Sequence, residues 1–94
     1  MLIGKQKREL RKMAHHLTPI FQIGKDGVSY NLLEGVENAL ISQELIKVKV
    51  LETCQEDVKV VALKISEFTK CEVVQIIGRT IVLYLYNKDG KIKV

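Results

Sequence analysis

The sequence predicts an α+β sandwich: a single compact domain of order αβαβαββ on a four-stranded mixed sheet. Three observations lead there. "LIKVKVL" (45–51) alternates strictly, with Ile46, Val48 and Val50 facing one way and Lys47 and Lys49 the other, the period of a strand with one wet face. Three other segments repeat apolar residues at helical spacing. Finally, "CEVVQIIGRTIVLYLY" (71–86) reads as two strands joined through Gly78-Arg79, and glycine in first place fits a type II′ hairpin. Helical crossovers imply some parallel pairing and the hairpin is antiparallel, so the sheet is mixed.

The elements follow in order. Over Lys5 to Leu17, the residues Leu10, Met13, Ala14 and Leu17 recur at i, i+3, i+4, i+7, and Pro19 disfavours helical geometry at Thr18, where the helix should stop. Ile20 to Ile23 reads as a short strand. A second helix starts near Ser29, a good cap, or Asn31, which forms a capping-box-like pair with Glu34. Its buried stripe is Leu32, Leu33, Val36, Ala39 and Leu40. A third helix runs from about Gln55 to Thr69 with Val58, Val61, Ala62, Ile65 and Phe68 inward; Glu56 and Asp57 at its start and Lys70 at its end suit the helix dipole. Val60 and Leu63 fall outside that stripe and either widen the buried face or mark a contact. In the hairpin, the two-residue turn pairs Ile77 with Thr80. It places Val74, Ile76, Ile81 and Leu83 on the core face and Gln75, Thr80, Val82, Tyr84 and Tyr86 opposite.

The 94 residues make one domain, with a core of about 2–86 and a polar, basic end at 87–94 expected to fray. Apolar residues at 47% and charged residues at 28% describe a globular chain rather than a disordered one. No apolar run approaches the ~18 residues that span a bilayer, and "MLIGKQKREL" turns charged too early for a secretory leader, so the expected compartment is the cytoplasm and no membrane partner is expected. Cys54 and Cys71 have no CxxC partner and read as reduced structural thiols. The adjacent His15 and His16 point about 100° apart on a helix, so no metal or other cofactor is expected. Net charge is +4, a modest excess whose placement matters more than its size.

On a helical wheel Lys5, Arg8, Arg11, Lys12 and His15 share a sector opposite Leu10, Met13 and Leu17, relieved only by Glu9 at its margin. Like charges so placed repel, which points to a face that meets a polyanion rather than an ordinary solvated one. Gly24-Lys25-Asp26-Gly27 has the form GxxG. Gly24 and Gly27 would let backbone approach a phosphate at the start of the second helix, Lys25 would add a positive charge, and a plain strand-to-helix turn is the competing reading. Arg79 at the hairpin tip either reaches a phosphate or stays solvated. Tyr84 and Tyr86 either stack bases or pack under a helix. Glu52, Glu56 and Asp57 read as helix-start acids, and no enzyme motif or small-molecule substrate site emerges.

"GKQKRELRKMAHHLTPIFQIGKDGV", "ELIKVKVL" and "VQIIGRTIVLY", in this order and spacing, resemble the CRM domain (chloroplast RNA splicing and ribosome maturation), specifically its free-standing bacterial YhbY-like members. The resemblance covers Leu2 to Tyr86. It implies a fold similar to the C-terminal domain of translation initiation factor three, RNA binding, and association with precursors of the large ribosomal subunit, hence ribosomal RNA as partner. By position, Gly24, Lys25 and Gly27 match the family's GxxG loop, which is similar to that of KH domains, and the basic first helix matches its basic surface. Asp26 departs from the small or neutral residue expected there. The functional expectation is a non-enzymatic RNA-binding protein in large-subunit assembly. The alternatives are a protein-interaction adaptor using Val60 and Leu63, a general RNA chaperone, and a nucleotide-binding enzyme using the glycine loop. The sequence leaves the oligomeric state open.

Overall fold

The computed structural model describes residues 2–93. The elements are α1 (Gly4–Ala14), β1 (Phe21–Ile23), α2 (Tyr30–Gln43), β2 (Leu45–Val50), α3 (Val58–Thr69), β3 (Glu72–Ile77) and β4 (Thr80–Tyr84), in the predicted αβαβαββ order. The sheet order is β1-β2-β4-β3, with β1 parallel to β2 and both pairs involving β4 antiparallel, so the sheet is mixed as expected.

The helices divide between the two faces of this sheet. Ile46, Val48 and Val50 of β2, with Ile81 and Leu83 of β4, bury against Val36 and Leu40 of α2 and Val61, Ala62 and Ile65 of α3. This is the main core, and it also holds both cysteines. The opposite face is covered by α1, where Leu10 and Ala14 pack on Leu45, Val74, Val82 and Tyr84. The face of β2 expected to be wet is therefore only partly so: Leu45 is buried there, while Lys49 is exposed. Tyr84 packs beneath the helix and Tyr86 stays in solvent, so the two tyrosines take different fates.

Local signals set the helix starts. Ser29 caps α2, its hydroxyl accepting the Leu32 N–H at 3.1 Å, and Asp57 caps α3 by accepting the Lys59 N–H at 3.0 Å. The predicted start of α3 near Gln55 moves to Val58 because residues 51–56 form the loop that packs against the glycine turn. The predicted end of α1 also moves. The helix stops at Ala14 instead of continuing to Leu17, since His15 N–H bonds Lys12 O and Leu17 N–H bonds Ala14 O, the tighter i→i+3 pattern that turns the chain toward β1. Lys47 Nζ holds the turned segment by donating to Leu17 O at 3.0 Å. Leu17, beyond the helix, is consequently exposed, and Met13 within it is exposed too, although their spacing placed both inward.

A second correction concerns β3. Val73 pairs with Leu83 and Gln75 with Val82, so Val74 is an extra residue in a β-bulge. The bulge reverses the faces beyond it: Val73 turns to the main core and Val74 to α1, opposite to the unbulged expectation. Ile76 shares a face with buried Ile81 but lies on the edge strand and is exposed. The hairpin turn itself is as read, with Gly78 at φ +58 and Arg79 outside the left-handed region.

At the C-terminal end, where fraying is the sequence expectation, Glu44 makes specific contacts. It sits between α2 and β2 at φ 69, and its carboxylate accepts the Lys91 N–H at 2.8 Å and the Ile92 N–H at 3.3 Å. Among the described residues no helix is long and apolar enough to cross a membrane.

Candidate nucleic-acid interface

The parallel pairing of β1 with β2 sends both strands to the same end of the sheet, where Ile23 lies beside Val50. The β3–β4 turn closes at that end too, because Arg79 O accepts the Val50 N–H at 2.8 Å. Three connections therefore meet there: the glycine loop 24–29, the loop 51–57 and the Gly78-Arg79 turn.

α1 adds its last turn to this end. Its beginning lies near the start of β3, where Leu2 N–H donates to Glu72 Oε1 at 3.1 Å. Its other end forms a groove with the end of β3, lined by Arg11, Lys12, His15, His16, Gln75 and Ile77. Basic residues in the last turn also suit the helix dipole. Lys5, Arg8, Arg11, Lys12 and His15 are all exposed, as the wheel predicts. Glu9 approaches Lys12 at 3.8 Å, an exposed pair of small energetic weight. Arg11, Lys12 and His15 thus come to the glycine-loop end, whereas Lys5 lies about 15 Å back along the helix and Arg8 between them.

In the loop, Gly27 N–H bonds Gly24 O at 3.0 Å, and Gly27 takes φ +65, a conformation side chains rarely adopt. Both glycines also allow a close approach. A Cβ on Gly24 would sit 3.2 Å from Thr53 Oγ1, and one on Gly27 would sit 2.9 Å from Glu56 Oε1. What approaches Gly27 is therefore a carboxylate of the protein itself. Glu56 Oε1 accepts the Val28 N–H at a long 3.4 Å, and Glu56 Oε2 pairs with Lys64. The Lys64 hydrogen bond, with help from the Val28 amide and against the effect of burial, holds the Glu56 carboxyl below the usual carboxylate range. Lys25 and Asp26 project into solvent.

Arg79 neither hangs free nor merely decorates the tip. Its Nε donates to Val50 O at 2.8 Å and its Nη2 to Leu51 O at 2.6 Å, so the guanidinium fastens the end of β2 while remaining half-exposed. A cleft beside it is lined by Lys49, Glu52, Thr53 and Thr80. Sequence reasoning did not single out Lys49 as a site residue, although the alternation that sets Lys47 and Lys49 on the α1 side of β2 was a usable signal. The contact of Glu56 with the Val28 amide had none, because the two residues are 28 apart in sequence.

Known proteins resemble this chain over nearly its whole length. The profile of the CRS1/YhbY (CRM) domain matches residues 2–84. The chain belongs to the CRS1/YhbY (CRM) domain family. Among its CRM relatives is probable RNA-binding protein YqeI of Bacillus subtilis, 53% identical over 91 residues that cover 97% of this chain and 95% of the relative. A protein of Haemophilus influenzae named RNA-binding protein is 40% identical over 92 residues, covering 98% of this chain and 93% of its own. The solution structure of SAV1595 from Staphylococcus aureus superposes with a TM-score of 0.82 at 48% identity, over 97% of this chain and 95% of that one. The CRM fold therefore extends over almost the whole chain.

Proposed function

We propose that this CRM domain is a non-enzymatic RNA-binding protein, acting in the cytoplasm on ribosomal RNA in precursors of the large ribosomal subunit. The observation that carries the RNA reading is the set of groups at one end of the sheet: exposed Arg11, Lys12 and His15 in a groove with the end of β3, the half-exposed Arg79 at the β3–β4 turn, and the Gly24–Gly27 loop after β1 on the other edge. Phosphates would track along the basic face of α1 from Lys5 to His15, and single-stranded RNA would follow them with no base-specific contact required. The names of the CRM relatives support RNA as the ligand.

At the glycine loop, a phosphate would reach the Val28 amide by displacing the Glu56 carboxylate, which Lys64 then retains. Lys25 favours that exchange and Asp26 opposes it. His15 and His16 pack edge-on against each other at 5.6 Å, both exposed in the turn after α1.

Sedimentation of tagged protein from lysate tests the assembly role. Comigration with large-subunit precursors, abolished by RNase, is expected; migration only at the monomer position overturns it. Neutralising about four to six phosphates of single-stranded RNA should give a log–log salt slope of about −3 to −4. A slope near zero would point to a protein partner instead.

A further inference from the structure

We propose that the cavity between the first turn of α1 and the C-terminal segment is a nucleobase site with Tyr86 as its stacking platform. The proposal rests on the RNA-binding reading and extends it from phosphates to bases. The cavity has a volume of about 500 Å³ and its walls include Gln6, Glu72, Tyr84, Tyr86, Asn87 and Lys88. That size falls within the range of small-ligand pockets.

The two tyrosines meet the cavity differently. Tyr84 is only 1% exposed and its hydroxyl is sealed within the fold, so it forms a fixed part of the wall rather than a contact for a ligand. Tyr86 is the reverse: its side chain is 71% exposed at the rim, presenting an aromatic face to solvent. Aromatic faces of this kind are the platforms on which single-stranded bases stack.

The polar walls indicate which part of a nucleotide enters. The Gln6 carboxamide oxygen accepts the Ile3 N–H at 2.9 Å, and the Asn87 carboxamide oxygen accepts the Asp89 N–H at 3.0 Å. Each side chain therefore keeps its amino group as a hydrogen-bond donor. Donors on two walls suit an acceptor-rich base edge, such as the carbonyls of uracil or the O6 and N7 of guanine. Lys88 and Lys93, also among the lining residues, suit the phosphates of a strand whose base enters the cavity. Lys5 and Arg8 lie on the helix that joins this cavity to the phosphate groove at the other end of α1, so one strand can engage both.

The test uses the full chain with a single-stranded RNA of about twelve nucleotides, and the same backbone carrying abasic positions. Tyr86→Ala should weaken binding to the ordinary RNA by about five- to hundredfold, the usual effect of losing one base–aromatic stack. Tyr86→Phe should bind like the parent. The salt slope should not change, because stacking releases no counterions, and the loss should vanish on abasic RNA. Equal binding by Tyr86→Ala and parent, or an equal loss on abasic RNA, overturns the base site. Arg8→Glu separates the two levels: if it weakens binding while Tyr86→Ala does not, RNA binding stands and the base site falls. If the parent binds neither RNA, both fall.

Discussion

The two faces of the sheet differ in what covers them. The face under α2 and α3 is sealed by two helices and a continuous aliphatic cluster from Ile23 to Leu83. The face under α1 is closed by a single helix of 11 residues that inserts Leu10 and Ala14 and leaves its cations in solvent. The first face holds the larger buried core, and the second carries the basic sector of α1, the groove at the end of β3 and the cavity beside Tyr86. A thin cover is what makes that possible, since a helix that buries one narrow stripe keeps the rest of its circumference for a ligand.

The largest effect should come from opening the main face. Leu40→Ala should cost about 3–5 kcal/mol, a large share of the ~5–15 kcal/mol that holds a small domain together. Leu10→Ala should cost about 2–3 kcal/mol, because α1 can settle into the space more freely than a helix locked between two neighbours. Urea midpoints measure both, and hydrogen exchange should show α1 loosened by Leu10→Ala while β2 stays protected. Equal costs would break the distinction between the faces.

Arg8→Glu with Lys12→Glu tests whether the exposed side of α1 is functional rather than structural. RNA affinity should fall by about ten- to hundredfold across sequences, the salt slope should flatten by about 1.4, and the melting temperature should barely move. A loss of folding would show that these side chains belong to the scaffold.

Glu56→Gln sharpens the comparison at the junction where loop 51–57 meets the glycine turn. The variant should bind RNA about two- to fivefold more tightly, because the amide of Val28 no longer faces a competing carboxylate. It should also change the acid limb of stability. The native Glu56 carboxyl titrates below its unfolded value of about 4.3, so its contribution is present above that value and is lost as pH falls through the lower folded one. A glutamine cannot lose that contribution, and its stability profile should be flatter on the acid side. Unchanged RNA affinity with intact folding would make Glu56 a brace for the turn and nothing more.

The smallest effect belongs to Asp26→Asn. Its side chain projects into solvent, where water and salt screen it, so the gain in RNA affinity should stay below about twofold in a fluorescence-anisotropy titration. A larger gain would move the phosphate site from the Val28 amide toward the tip of the loop.

Much of this molecule was legible from neighbours along the chain. The alternation of "LIKVKVL", the cap at Ser29, the positive-φ glycine at 78 and the basic sector of α1 depend on residues within a few positions of one another, and sequence periodicity reports such interactions directly. The tertiary structure decided the rest. It placed α1 on the opposite face from α2 and α3, shifted β3 by one residue at Val74, and tied Arg79 to the carbonyls of Val50 and Leu51. It also brought Glu56 to Val28 and Glu44 to the amides of Lys91 and Ile92. Each of these joins groups far apart in sequence, and no local pattern favours one such partner over another. They form because the packed sheet holds two backbone segments side by side, leaving buried or crowded polar groups to be satisfied by whichever side chain the fold delivers.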